Sequence, residues 1–216
     1  MQSTRAIFRE RALLLSFLAL LLLIFGIWII VTNKAQGFRL LTGYHSTATD
    51  FFFRYITHLG DGIFIIVSGI LIGKRKQYIL SACILISYML SGIFAQLGKK
   101  LLNLPRPKAW FEALGETVYE VPGVEVHMKG SFPSGHTASV FAMAVVLVLM
   151  LPYRWYSWLL LGLACMVGYS RIYLSQHFPV DVWGGAMIGT FSGSVVWLVM
   201  QNSKYLNSKF QNTTPL

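Results

Sequence analysis

Residues 13–31, LLLSFLALLLLIFGIWIIV, form an apolar stretch that contains no charged residue. A helix of about 20 mainly apolar residues is long enough to cross the hydrocarbon core of a bilayer. The stretch is flanked by the basic residues Arg5, Arg9, Arg11 and Lys34. It is longer than the apolar region of a signal peptide, and no small-residue cleavage site follows it. The sequence therefore predicts a first membrane span at about residues 12–32.

Further apolar runs predict an all-α bundle of six transmembrane helices. These runs cover residues 57–73, 77–98, 136–151, 154–174 and 180–200. The second predicted span is the weakest, because His58 and Asp61 interrupt its start. The runs follow one another too closely for a separate soluble domain, so residues 1–216 are expected to form a single integral membrane domain. Its polar tail is expected at residues 201–216.

The composition agrees with a chain whose surface is largely in contact with lipid. Of the 216 residues, 55% are hydrophobic and 12% are charged, whereas a soluble domain carries about 25% charged residues. The net charge of +10 does not indicate nucleic-acid binding, because the basic residues lie between the apolar runs. Membrane proteins keep their basic residues there, for orientation and for contact with anionic lipids.

The distribution of basic residues predicts the orientation, since Lys and Arg concentrate in short cytoplasmic loops. With six spans the basic residues divide equally between the two sides. The balance favours cytoplasmic termini once Lys99, Arg106 and Arg171 are set aside as site residues. The triplet at residues 74–76, Lys-Arg-Lys in a tight turn, favours the same orientation.

A long connection between the third and fourth predicted spans, residues 99–132, is the least apolar part of the chain. Within it, residues 117–127 alternate apolar and polar side chains about Pro122-Gly123. Alternation around a turn dipeptide is typical of a β-hairpin. An irregular loop is the equally weighted alternative, and both are expected to lie outside the membrane.

Three short polar stretches border the predicted spans, where polar groups are costly and therefore functional candidates. They are Lys99–Pro107, Phe132–Thr137 and Ser170–Asp181. With six spans, the loops that carry them lie on the same side of the membrane. The sequence therefore predicts that the three stretches form one site.

The first part of this predicted site is a phosphate cradle. Lys99, Arg106 and Arg171 supply three positive charges, and Arg binds phosphate oxygens with a bidentate fork. Ser134 is a natural N-cap for the helix that follows it. The backbone N–H groups at that helix N-terminus bind anions, and Gly135 allows close approach of the ligand. Such a cradle requires no metal.

The second part of the predicted site is a pair of histidines. Asp181 follows His177 by four residues, a spacing at which its carboxylate can orient the imidazole and stabilise its positive charge. This spacing predicts His177 as the nucleophile of a phosphoryl transfer. His136 then remains as the general acid.

The three stretches resemble the signature of the type 2 phosphatidic acid phosphatase superfamily: Lys-x6-Arg-Pro, Pro-Ser-Gly-His and Ser-Arg-x5-His-x3-Asp. The matching positions are Lys99, Arg106, Pro107, Pro133 to His136, Ser170, Arg171, His177 and Asp181. No signature position is missing, and the resemblance covers a core of about residues 50–200.

This resemblance implies roles that spacing alone does not establish. The match to His177 forms a phosphohistidine, the match to His136 protonates the leaving group, and the match to Asp181 orients the nucleophile. The matches to the remaining polar positions hold the phosphate: Lys99, Arg106, Ser134, Gly135 and Arg171. The family acts on membrane lipid phosphates without metal or other cofactor, with its site on the non-cytoplasmic face. For this chain that face is expected to be the periplasmic side of a bacterial inner membrane.

Several alternatives stay open at the level of sequence. A lipid phosphotransferase would pass the phosphate from His177 to an acceptor other than water. A non-enzymatic lipid-phosphate binder or transporter would need the cradle but not both histidines and Asp181. The size and six spans resemble bacterial members that act on undecaprenyl diphosphate, phosphatidylglycerophosphate, phosphatidate or lipid A phosphates. A polyprenyl diphosphate is the preferred expectation, and the oligomeric state is not predicted.

Overall fold

The computed structural model describes residues 4–151 and 155–202, with the side chains of residues 11–151 and 155–201. Arg154 lies outside the described residues, and so does the tail beyond residue 202. The side chains of Arg5 and Arg9 also lie outside them.

Within the described part the chain is helical, which confirms the all-α prediction. The helices are α1 (Thr4–Val31), α2 (Lys34–Leu41), α3 (Thr47–Ile56), α4 (Gly62–Lys74), α5 (Tyr78–Leu102), α6 (Pro107–Glu112), α7 (Gly135–Met150), α8 (Tyr156–Tyr173) and α9 (Pro179–Asn202). A short 3-10 helix, Thr57–Gly60, joins α3 to α4.

Three of these helices are long and apolar enough to cross a membrane by themselves, namely α1 over Arg11–Val31, α5, and α9 over Pro179–Gln201. The pair α3–α4 meets the same criterion as one broken span, which brings the number among the described residues to four at most. Helix α7 is apolar but has only 16 residues. By length and composition the described helices thus support three or four spans, and the count of six remains a proposal.

The break between α3 and α4 falls where His58 and Asp61 weaken the second predicted span. The two helices are bent by 56° relative to each other. Asp61 caps α4, because its side chain accepts a hydrogen bond from Ile63 N at 3.2 Å. A capping carboxylate marks the start of a new helix, so Asp61 separates α4 from α3 and the 3-10 helix that precede it.

Helix α7 lies at the centre of the bundle, and most of its side chains are buried. Phe141, Val145 and Leu149 belong to a core cluster that also includes residues of α8 and α9. Helix α1 covers this cluster with Leu14, Leu18 and Leu22. The central helix is therefore held by its neighbours on several sides.

Helices α7 and α9 approach each other along glycines spaced four residues apart. A Cβ atom added to Gly185, Gly189 or Gly193 would lie 2.5, 2.4 or 2.8 Å from the carbonyl oxygens of Ser134, Ala138 and Ala142, respectively. Small residues at this spacing allow the backbones of membrane helices to come into contact. This close packing determines how the N-termini of the two helices meet.

The possible hairpin at residues 117–127 is not formed, so the β-hairpin expectation was wrong and the irregular loop is the observed structure. The described part of the loop makes one isolated bridge, between Pro105 and Lys129. Several of its carbonyl groups accept hydrogen bonds from side chains of other elements instead of from backbone N–H groups across a hairpin. Ser175 Oγ donates to Tyr119 O at 2.7 Å, and Arg54 Nη1 donates to Pro122 O at 3.2 Å.

We expect Gly189→Ala to destabilise the protein, because the added methyl group would push α7 and α9 apart. Overpacking of this kind costs about 1–3 kcal/mol, which should lower the Tm in detergent by about 5 °C. Gly92→Ala is the matched control, since a Cβ atom at this helical glycine meets nothing within 4 Å. Equal Tm values for the two variants would contradict the close α7–α9 contact.

Candidate active site

The three polar stretches meet where α5 and α8 end and where α7 and α9 begin. Lys99 lies in the last turn of α5, and Arg171 lies in the last turn of α8. Ser134 caps α7, and Asp181 lies in the first turn of α9. The backbone N–H of Ser134 donates to the carbonyl oxygen of Asp181 at 2.9 Å, which joins the beginnings of the two helices directly.

His177 and Asp181 form a buried pair. His177 Nδ1 lies 3.5 Å from Asp181 Oδ2, an ion-pair distance that is longer than a normal hydrogen bond. Each residue is only 1% exposed. The i,i+4 spacing of the sequence therefore places the carboxylate beside the imidazole.

Asp181 Oδ2 has two further donors that the sequence analysis missed. Ser131 Oγ donates to it at 2.5 Å, and the backbone N–H of Phe178 donates at 2.8 Å. Ser131 is 1% exposed, and its backbone N–H is bonded to Leu104 O at 3.0 Å. The carboxylate is thus held on several sides by fixed donors. No sequence motif indicated Ser131, because it lies just before the Phe132–Thr137 stretch.

Burial lowers the pKa of His177 to about 3, and the carboxylate of Asp181 offsets this effect only in part. A depressed pKa keeps the imidazole neutral at neutral pH. A neutral imidazole retains a lone pair on one ring nitrogen, which a nucleophile requires.

Arg106 is buried and fixed by hydrogen bonds from its guanidinium. Nη1 donates to Gln176 Oε1 at 2.8 Å, and Nε donates to Lys129 O at 3.0 Å. Gln176 is 2% exposed, and its Nε2 donates in turn to Glu125 O at 2.7 Å. Gln176 therefore connects the cradle arginine to the irregular loop. No sequence motif indicated this role, because Gln176 occupies an unspecified position of the Ser-Arg-x5-His-x3-Asp motif.

Arg171 is also buried, and it reaches toward the break between α3 and α4. Its Nη1 donates to Thr57 Oγ1 at 2.8 Å. Its Nε is buried without a hydrogen-bond partner among the described residues. Buried polar groups are nearly always paired, so this N–H is a candidate donor to a phosphate oxygen.

Gly135 and His136 form the first turn of α7, beside Lys99. A methyl group added to Gly135 would lie 3.8 Å from Lys99 Nζ, and one added to Gly60 would lie 2.7 Å from His136 O. Glycine at position 60 thus allows the 3-10 helix to contact His136 directly. Lys99 also interacts electrostatically with Arg106, Arg171 and Asp181. The structure thereby brings all eight predicted site residues to one end of the bundle.

The described part of the chain contains no group of three or more His, Cys, Asp or Glu side chains placed to hold a metal ion. Three of the charged side chains at the site, Lys99, Arg106 and Arg171, are cationic, which suits an anionic ligand such as phosphate.

The sequence profile of the PAP2 superfamily matches residues 79–205, which is more than half of the chain. The chain is a member of the PAP2 superfamily. This confirms the resemblance that the three motifs indicated. The match includes every predicted site residue, from Lys99 to Asp181.

Two proteins with similar sequences carry the names of lipid phosphatases. The chain is 33% identical over 118 residues to a lipid A 4′-phosphatase of Bacteroides thetaiotaomicron, a match that covers 55% of this chain and 51% of that protein. The chain thus spans about half the length of this relative. It is 27% identical over 209 residues to an undecaprenyl-diphosphatase of Sulfolobus acidocaldarius, which covers 92% of each chain.

Two solved structures share the fold of this PAP2 protein. The crystal structure of Aquifex aeolicus LpxE superimposes with a TM-score of 0.61 at 29% identity, over 74% of this chain and 91% of that chain. A transmembrane PAP2-type phosphatidylglycerolphosphate phosphatase from Bacillus subtilis superimposes with a TM-score of 0.66 at 23% identity, over 88% and 98% of the two chains. Together with the apolar helices, these likenesses identify an integral membrane protein.

We expect the buried His177 to make the stability of the fold depend on pH. The unfolded chain takes up a proton at this residue below about pH 6.5, whereas the folded protein resists protonation down to about pH 3. The contribution of His177 to the free energy of unfolding is therefore fully present above pH 6.5. It is lost as the pH falls from about 6.5 to about 3. At pH 5 the loss from His177 alone is about 2 kcal/mol.

Thermal unfolding in detergent at pH 7.5 and pH 5 measures this effect. His177→Gln should lose less Tm between the two pH values than the wild type does. His127→Gln, at an exposed histidine, is the control and should behave like the wild type. If wild type and His177→Gln lost the same Tm, the burial of a neutral imidazole would be refuted.

Proposed function

We propose that this protein is a metal-independent lipid phosphatase that works through a phosphohistidine on His177. The observation that carries the proposal is the buried His177–Asp181 pair at the edge of a cationic cradle. A protein that only bound or carried lipid phosphates would need the cations but not a neutral histidine backed by a carboxylate.

In the first step the lone pair of His177 Nε2 attacks the phosphorus of the substrate. A P–N bond forms while the bond from phosphorus to the leaving oxygen breaks. The bound anionic phosphate favours the protonated form of His136, which donates its proton to that oxygen. The imidazole of His177 becomes positively charged, and Asp181 Oδ2, 3.5 Å from Nδ1, stabilises this charge. In the second step His136 accepts a proton from water, the water oxygen attacks phosphorus, and the P–N bond breaks.

The cradle stabilises the charge on the non-bridging phosphate oxygens throughout both steps. Lys99, Arg106 and Arg171 supply positive charge, and the N-terminus of α7 supplies backbone N–H groups at Gly135 and beyond. The unpartnered Nε of Arg171 is suited to donate to one of these oxygens. Phosphoryl transfer depends mainly on such positioning and electrostatic stabilisation, so these groups are sufficient without a metal ion.

For the substrate we propose a polyprenyl diphosphate such as undecaprenyl diphosphate. The undecaprenyl-diphosphatase of S. acidocaldarius matches 92% of the chain, which supports this choice. Phosphatidylglycerophosphate, phosphatidate and lipid A phosphates are the other candidates. We further propose six spans with both termini in the cytoplasm, which places the site on the periplasmic face of a bacterial inner membrane.

Phosphate release by the purified protein in detergent with EDTA, assayed on these four lipid classes, tests the reaction. We expect release from one class and no inhibition by EDTA, because the cradle replaces a metal. His177→Ala should reduce release at least about 1,000-fold, since the covalent intermediate cannot form. Enzyme quenched in alkali should carry a phosphoryl group that is stable in base and lost in acid, and only when His177 is present.

Two outcomes would contradict the proposal. Substantial turnover by His177→Ala would remove the nucleophile assignment. A loss of activity in EDTA that Mg²⁺ restores would overturn the metal-free mechanism. Phosphohistidine formation without phosphate release to water would instead identify a phosphotransferase that lacks its acceptor.

We expect Ser131→Ala to slow the reaction through Asp181. Loss of one hydrogen bond to a carboxylate should lower kcat about tenfold with little change in KM, whereas Asp181→Asn should lower kcat about 100-fold or more. Because Ser131 acts only through this carboxylate, Ser131→Ala should add little to Asp181→Asn in the double variant. Steady-state kinetics of the four proteins measures the coupling.

Ser91→Ala is the control, because Ser91 is a buried serine whose hydroxyl donates to Tyr88 O within α5. It should keep wild-type kcat. Additive losses from Ser131→Ala and Asp181→Asn would show that Ser131 does not act on Asp181. Ser131→Thr keeps the hydroxyl group and should therefore be faster than Ser131→Ala.

A further inference from the structure

A cavity of about 380 Å³ lies beside the cradle, between the irregular loop and the break in α3–α4. Its inner end is lined by His136 and Arg171, and its outer part by Arg54 and Gly123. The described residues that line it do not include His177. The cavity is therefore on the side of the site that the general acid occupies.

The side on which a cavity opens decides which part of the substrate it receives. In a phosphoryl transfer the attacking and leaving atoms lie roughly in line on opposite sides of phosphorus. With His177 as the nucleophile and His136 as the acid, the leaving oxygen faces this cavity. Whatever is attached to the leaving oxygen must then occupy it.

Arg54 is the cation in the outer part of this cavity. It lies in the last turn of α3 and is exposed. Its Nη1 donates to Pro122 O at 3.2 Å, and a Cβ atom added to Gly123 would lie 2.7 Å from the same nitrogen. The absence of a side chain at Gly123 therefore makes room for the guanidinium against the loop. Its remaining N–H groups form a fork suited to phosphate oxygens.

The neighbours of Arg54 on α3 are apolar and exposed. Phe51, Phe52 and Tyr55 have exposed fractions of 66%, 43% and 54%. Large exposed aromatic side chains on a membrane protein contact lipid, and those near the interface suit the region between hydrocarbon and water. Moving outward from the cradle, the structure thus presents Arg54 and then an apolar surface.

This order matches the order of groups in a lipid diphosphate: terminal phosphate, second phosphate, hydrocarbon. We propose that the cavity is the subsite for the second phosphate and that Arg54 binds it, which makes Arg54 a specificity-determining residue for lipid diphosphates over monophosphates. The inference rests on the proposed phosphatase function. When the terminal P–O bond breaks, the lipid leaves as a monophosphate, and Arg54 stabilises its charge.

Two acidic residues, Asp61 and Glu125, also line the cavity, and Asp61 interacts electrostatically with Arg171. The carboxylate of Asp61 accepts the N–H of Ile63 as the cap of α4. Glu125 bonds to Gln176 through its carbonyl oxygen, while its side chain is 88% exposed and lies 3.9 Å from His127 Nδ1. Arg54 is accordingly the charged group best placed for a second phosphate.

Hydrolysis of farnesyl diphosphate and farnesyl monophosphate by the full-length protein in detergent tests the subsite. Arg54→Gln should lower kcat/KM for the diphosphate about tenfold, the effect of one charge-assisted contact. The same variant should hydrolyse the monophosphate at the wild-type rate, because that substrate has no second phosphate. Arg39→Gln is the charge-matched control, since Arg39 pairs with Glu116, and it should leave both rates unchanged.

Equal losses on the two substrates, or no loss on either, would overturn the assignment of Arg54. Equal losses would show that Arg54 acts by holding the loop at Pro122. Arg54→Lys, which keeps the charge without the fork, should recover part of the diphosphate rate.

Calorimetric titration with inorganic pyrophosphate and inorganic phosphate separates the subsite from turnover. Arg54→Gln should weaken pyrophosphate binding about tenfold and leave phosphate binding unchanged. That result in a protein that hydrolyses neither farnesyl substrate would support the subsite while refuting the proposed phosphatase. Equal affinities of wild type and Arg54→Gln for pyrophosphate would overturn the subsite even if the phosphatase activity is present.

Discussion

The contact between the beginnings of α7 and α9 is the constraint on which the site depends. The backbone N–H of Ser134 is bonded to the carbonyl oxygen of Asp181, and glycines of α9 let the two helices pack backbone to backbone. This contact sets the N-terminus of α7, which presents the cradle, against the first turn of α9, which carries the carboxylate behind His177. The relative position of the cradle and of the His177–Asp181 pair therefore depends on this contact.

The burial of His177 and Asp181 determines their charge states and their need for hydrogen bonds. His177 and Asp181 are each only 1% exposed, so the imidazole stays neutral and the carboxylate needs hydrogen-bond donors. Ser131 and the backbone of Phe178 supply them. The cradle instead requires an anion, because Lys99, Arg106 and Arg171 repel one another when no anion is bound. A phosphate relieves that repulsion, so the cost of gathering these charges favours an anionic ligand.

The break between α3 and α4 brings polar groups of the backbone and side chains to the site. A continuous apolar helix at this position would offer no hydrogen-bonding group to the site. The 3-10 helix instead brings Thr57 to Arg171 and Gly60 to His136. Arg54, at the end of α3, lines the cavity that we propose as the subsite for a second phosphate. Irregular backbone inside a membrane protein is tolerated where it is buried in protein or lines a polar cavity.

The sequence by itself determined the helical class, the family and the identity of the candidate site residues. Apolar runs and motif spacings are local patterns, and the i,i+4 spacing of His177 and Asp181 already places the carboxylate beside the imidazole. The roles of these residues remain predictions. Only the tertiary structure decided that residues 117–127 form an irregular loop, because their carbonyls bond to distant side chains such as Ser175. It alone also revealed Ser131, Thr57, Gln176 and Arg54, whose partners are far away in the chain and leave no periodic or spaced signal.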